Sequence, residues 1–241
     1  MGGTWGGSGG SGGGSFGGFG GTGGSGNAPS GGGAPGGGGS GNTGNITITA
    51  ENMIDDMEAD TGSIKAQQGR VGAWYTYNDE TVGGTQTPAM GATFLPEAIT
   101  GGANGGTHAA HTSGTGFSTW GAGMGFDLNN NGSSKQIYSV AGKTGIAFWG
   151  RGGHAIRVKV LTADTTPIAE GGTCTTSCGD NHGMVFTLTQ SLQQFALPFS
   201  SLVQEGWGAA VAFAPDKVIG VQFQVVANVP FDFWVDDIGL Y

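Results

Sequence analysis

The chain has 241 residues and a formal net charge of −9, from 8 basic and 17 acidic residues, and glycine fills 54 positions, about three times its usual share of roughly 7 %. The few basic residues form no run, which argues against a nucleic-acid partner, since backbone phosphates are held mainly by clustered Lys and Arg. The length leaves no room for a barrel of roughly 250 residues with anything attached.

Residues 1–44 hold 25 of the glycines and no charged residue or histidine, so the whole net charge belongs to residues 45–241. Glycine offers no side chain to bury and loses the most backbone entropy on ordering, and this segment lacks a collagen period. A disordered Gly/Ser-rich linker is the expectation, with Trp5, Phe16 and Phe19 as its only aromatic residues. No apolar run reaches the roughly 18 residues of a membrane span, and the start lacks the charged and apolar regions of a secretory signal. Such a tail belongs behind an anchor, so an upstream anchor and an extracellular or cell-surface location are expected.

From Ile46 onward the pattern is short alternating runs broken by glycine, asparagine and proline. Strands are expected at 73–78 (AWYTYN), 124–129 (MGFDLN), 145–150 (GIAFWG), 155–161 (AIRVKVL), 183–189 (GMVFTLT), 193–199 (QQFALPF), 218–226 (VIGVQFQVV) and 231–241 (FDFWVDDIGLY). The one helical candidate is short, at 200–206. Such a series predicts an all-β fold, a two-sheet antiparallel β-sandwich, as a single domain over residues 45–241.

Alternation assigns faces within these strands. Ile156, Val158 and Val160 share one side, as do Val221, Phe223 and Val225, and Phe231, Phe233 and Val235. The opposite phase carries Trp149, Trp234, Arg157, Gln222, Gln224 and Asp232, with Tyr75 and Tyr77 as further rings. Aromatic faces suit the C–H surface of a pyranose and planar polar groups suit its hydroxyls, so these eight residues are the expected carbohydrate-binding face. Each ring could equally serve as core or loop cover. Trp120 and Trp207 are further candidates of the same kind.

Cys174 and Cys178 sit in a Gly/Thr/Ser loop at a Cys-x3-Cys spacing. A zinc site would have only Asp180 and His182 nearby, and the spacing fails the Cys-x-x-Cys redox pattern. A local disulfide is the better fit, with free thiols as the alternative, and it would suit an oxidising compartment.

The fold opens with IDDME (54–58), continues through GIAFWG (145–150) and LPFSSL (197–202), and closes with WVDDIGL (234–240). In that order these motifs resemble the jelly-roll carbohydrate-binding modules of the galactose-binding-like group. The resemblance is nearest to family 11 and to domains of complex I intermediate-associated proteins. It spans most of residues 50–241 and implies a jelly roll that binds a polysaccharide of β-glucan type without performing chemistry. The stretches 162–183 and 105–121 depart from the family pattern, and its ligand-contacting residues cannot be matched one by one.

Asp55, Asp56, Glu58 and Asp60 lie near the first strand, and Asp236 and Asp237 lie in the last. Terminal strands of a jelly roll lie side by side, which would gather carboxylates that repel unless protonated or bridged. Structural calcium held by Asp56, Glu58, Asp236 and Asp237 is therefore expected, as the resemblance also implies, against a solvated acidic edge or hydrogen-bonded carboxylates. Asn78–Thr81 with Asp164 is a weaker oxygen cluster. His108 and His111 lack the HExxH pattern and read as a hydrogen-bonded loop; His154 and His182 stand alone. Adjacent carboxylates in a strand point to opposite faces, and no Ser elbow or phosphate loop is present, so no enzyme is expected. The alternatives are a structural or protein-interaction jelly roll and, last, a glycan-active hydrolase.

Overall fold

The computed structural model describes residues 45–132 and 134–241; the linker read over 1–44 lies outside them. Among the described residues, twelve strands run in chain order: β1 (Met53–Asp55), β2 (Trp74–Asn78), β3 (Thr85–Thr87), β4 (Glu97–Ala98), β5 (His108–Thr115), β6 (Ala122–Asp127), β7 (Gly145–Arg151), β8 (Ala155–Thr162), β9 (His182–Thr187), β10 (Gln193–Pro198), β11 (Val218–Val225) and β12 (Phe231–Leu240). They form two antiparallel sheets. A seven-stranded sheet has the order β10-β7-β12-β5-β3, with β1 against β12 and β4 against β5; a five-stranded sheet runs β2-β6-β11-β8-β9. The fold is an all-β jelly-roll sandwich. The helix expected at 200–206 is instead a single 3-10 turn at Phe199–Ser201.

Between the sheets lie the residues that alternation assigned inward. Phe126, Phe148, Phe223 and Phe233 are wholly buried, and Phe148 meets Phe223 and Phe186 edge-on. Trp74 joins them, with its ring 4.7 Å from that of Phe126. Each such side chain contributes about 2–3 kcal/mol by leaving water. The Trp74 indole N–H donates to the Asp55 carboxylate at 2.9 Å, so a carboxyl group reaches into the core, where burial pushes its pKa up to about 6.

β5 lies outside the expected strands, because HAAHTSGT carries no Phe, Tyr, Trp or large aliphatic side chain and its only β-branched residues are Thr112 and Thr115. Its small residues fit because β12 flanks it on one side, and β3 and β4 on the other. The His108–His111 segment is thus strand and not loop. In the connection between β8 and β9, Cys174 and Cys178 are joined as a disulfide, with Cα atoms 5.8 Å apart. Since the bridge closes only a short loop, its removal by Cys174→Ser/Cys178→Ser should cost on the order of 2 kcal/mol. That lowers the melting temperature by about 4–8 °C. A fall beyond about 15 °C in a thermal melt would show that the bridge does more than close its loop.

Candidate functional site

The eight residues expected on one face divide between two. Tyr75, Tyr77, Arg157, Gln222 and Gln224 lie on the outer face of the five-stranded sheet, whereas Trp149, Trp234 and Asp232 lie on the outer face of the seven-stranded one. Alternation shows only that a residue is opposite the core phase. It carries no information about which sheet a strand joins.

On the five-stranded sheet the register sets two outward rungs side by side. One runs Tyr77, Gly123, Gln224, Arg157, Val185; the next runs Tyr75, Gly125, Gln222, Lys159, Gly183. The glycines of β6 let the tyrosines of β2 lie toward β11: a Cβ on Gly123 would stand 2.9 Å from the Tyr77 hydroxyl. The Gln222 amide donates to the Tyr75 hydroxyl at 3.2 Å. Tyr77 stacks on Trp120 with centroids 5.8 Å apart. Gln224 donates to the Trp120 carbonyl at 2.8 Å and accepts from the Lys159 ammonium.

This outer face is recessed. Gln224 and Lys159 are each only 8 % exposed although they point away from the core. The walls explain why. On the β2 side the Lys135 ammonium lies 5.2 Å from the centre of the Tyr75 ring and pairs with Asp127. At the Tyr77 end stands Trp120, held by Asp79, whose Oδ2 accepts the backbone N–H groups of Thr119, Trp120 and Gly121. Partial burial alone would raise the Asp79 carboxyl, but these bonds and that from Thr81 hold it far below the usual carboxylate range. Beyond β9, Arg157 donates to the Val203 carbonyl at 2.6 Å and faces Glu205. The 205–208 turn rests on Asp180, which accepts from Glu205, Gly206 and Gly208 and so ties it to the disulfide loop. Trp120 and Trp207, on opposite walls, are 42 % and 59 % exposed. Burial lowers the Lys159 pKa to about 8, against the pull of Glu205. These groups outline a polar trough, with Tyr75 and Tyr77 on its sheet and the Trp120 ring against Tyr77 at one end.

The seven-stranded face differs. Trp234 stands between β5 and β7, stacked on His111 at 3.9 Å and 4.9 Å from the Arg151 guanidinium, so its ring is already engaged on both sides. The two ring nitrogens of His111 lie 3.0 Å from Glu97 and 3.1 Å from Asp232. The Trp149 indole nitrogen is buried without a partner. The Trp234 ring therefore offers no free stacking face.

The chain ends meet as expected: β1 pairs with β12. A bulge between Asp236 and Gly239, with Asp237 at φ +39°, breaks the alternation there. Asp236 accepts from the Ala103 and Asp237 N–H groups and Asp237 from the Asn104 amide. Glu58 accepts from the N–H groups of Thr107 and His108, and Asp56 pairs with Lys65 at 2.7 Å. Burial, with repulsion from Asp237 and Glu58, pushes Asp236 up to about 7; Asp237 is raised by burial and by Asp56 and Glu58. Among the described residues no three His, Cys, Asp or Glu side chains stand arranged to hold a metal. As placed, the four carboxylates are hydrogen-bonded rather than caged. Asp79 and Asp164 make separate contacts, Asp164 with Lys217 and Thr173.

Solved structures share the fold. The family 11 carbohydrate-binding module of a cellulosomal cellulase of Clostridium thermocellum superposes with a TM-score of 0.52 at 18 % identity, over 80 % of this chain and 95 % of that one. A family 11 module from the same organism in complex with a beta-1,3-1,4-mixed-linked tetrasaccharide gives 0.52 at 18 %, over 78 % and 94 %. The fold is carbohydrate-binding-module-like. No family model and no curated protein matches the chain. Among the described residues no helix is long and apolar enough to cross a membrane.

Proposed function

We propose that the domain binds a β-glucan-like polysaccharide, without catalysis, in the trough over the five-stranded sheet. The observation that carries this reading is the pair of outward rungs, in which Tyr75, Tyr77, Gln222, Gln224 and Arg157 are drawn into one recess. An extended chain can lie across it, with ring faces against Trp120 and Trp207 and hydroxyls bonded to the amides and guanidinium. The similarity to a module complexed with a mixed-linked tetrasaccharide supports such a ligand. An extracellular or cell-surface setting fits the disulfide.

Affinity electrophoresis and calorimetry against soluble β-glucans test this. Binding in the micromolar range or weaker is expected, and Tyr75→Ala/Tyr77→Ala should weaken it at least tenfold, about 1.4 kcal/mol. Flat responses to every glucan would leave a structural or protein-interaction domain.

Calcium is proposed for the corner of Asp56, Glu58, Asp236 and Asp237. It would offset the repulsion that raises Asp236, but those side chains must first release hydrogen bonds to Ala103, Asn104 and Thr107. Calcium should then raise the melting temperature relative to chelator through preferential binding to the folded state. Equal melting temperatures would remove the ion and keep the hydrogen-bonded corner.

A further inference from the structure

A second recess lies at the edge of the other sheet. Arg151 ends β7, and the turn into β8 carries Gly152, Gly153 and His154. It is pinned by the Gly152 N–H to the Thr189 carbonyl and by the Leu188 N–H to the His154 carbonyl. With Gln190 and the start of β12, including Asp232 and Trp234, it encloses a cleft of about 470 Å³. That volume lies toward the small end of ligand sites, which run to roughly 1,000 Å³.

Its groups are poised rather than satisfied. The Arg151 guanidinium is held against Trp234 and pairs with no carboxylate among the described residues. The His154 Nε2 atom is buried without a hydrogen-bond partner. Asp232 uses one oxygen on His111, while its side chain is 69 % exposed. Gln190 closes one wall: a Cβ on Gly153 would come within 2.7 Å of its amide nitrogen. None of these groups takes part in the trough.

We propose that this cleft is a second, independent site that takes a single neutral sugar unit, such as the end of a glycan chain. A hydroxyl is both donor and acceptor, and the cleft offers both: Arg151 and Gln190 donate, Asp232 accepts, and His154 can do either. A free carboxylate ligand would meet Asp232, and a cation would meet Arg151, so a neutral polyol is the class that all four groups accommodate. Because Trp234 is covered on both sides, binding here depends on hydrogen bonds rather than stacking. The inference stands whether or not the trough binds polysaccharide.

The test is amide-resolved NMR titration of the intact domain with glucose, galactose, mannose and xylose in turn. At least one should shift the amides of 151–154, 190 and 230–234 in a saturable, millimolar manner, and do so equally in Tyr75→Ala/Tyr77→Ala. Arg151→Ala should weaken that response at least tenfold; should that variant fail to fold, Gln190→Ala, on the cleft wall, must weaken it instead. No saturable shift with any of the four sugars overturns the proposal, as does an unchanged response in a folded Arg151→Ala or in Gln190→Ala. Loss of polysaccharide binding in the tyrosine variant, with the monosaccharide response intact, separates the two sites.

Discussion

Asp79→Ala should lower the melting temperature by about 6–12 °C and weaken binding in the trough. One carboxylate oxygen collects the N–H groups of Thr119, Trp120 and Gly121, and the other accepts from the Thr81 hydroxyl and N–H. Bonds to a charged acceptor contribute about 1.5–3 kcal/mol each where water cannot replace them. Several of these are exposed to solvent, so about 3 kcal/mol for the set is the reasonable figure, and the temperature shift follows for a domain of this size. Binding suffers because the same loop sets the Trp120 ring against Tyr77 and its carbonyl against Gln224. The carboxyl is depressed in the folded state, so its contribution is present above the unfolded value near 4 and is lost as pH falls below it. A melt within about 2 °C of the parent would show that the loop holds without its carboxylate.

In chelator, stability should peak near pH 4–5 and fall as the pH rises toward 7. Asp236 at about 7 and Asp55 at about 6 lie above their unfolded values, and both are buried. A raised carboxyl holds its proton more tightly when folded, so its contribution is complete below about 4. It is lost between there and the folded value, and is constant above. A tenfold difference in proton affinity is worth about 1.4 kcal/mol, so raising Asp55 to about 6 and Asp236 to about 7 from near 4 together accounts for a loss on the order of 7 kcal/mol. On the acid side, Asp79, Asp180 and Glu58, all lowered, reverse the slope below about 4. Melts from pH 3 to 8 in chelator check this, and a flat or rising profile between 5 and 8 would refute it. Asp236→Asn, which cannot ionise, should flatten the fall, as should calcium if the ion binds at this corner.

How much of this was legible beforehand depended on where bulky residues lie. The eight expected strands are bulky, inward on one phase and polar on the other, and the structure contains all eight. β5 escaped because its information lies in its neighbours, as glycine and alanine carry little β preference of their own. The trough illustrates a second limit. Tyr75, Tyr77 and Gln222 are expected by residue type, but the place of Lys159 beside Gln222 and Gln224 follows only once β8 is seen to lie beside β11. Trp149 and Trp234 share that residue type but lie on the outer face of the seven-stranded sheet, a separation that alternation cannot show. The acidic corner was foreseen in its membership, but not the bulge that turns Asp237 out of alternation; no spacing in WVDDIGL announces a positive φ.

Ile46 exchanges two hydrogen bonds with the Gln194 side chain, each 2.7 Å, and Ile48 lies over Gly239. Both of those partners face outward on the seven-stranded sheet, so the polypeptide enters the domain across the side of the sandwich opposite the trough. The first described residues thus lie across the rear of the domain, and the trough lies on the opposite side. A carrier attached to that rear face would display the domain with its recess open.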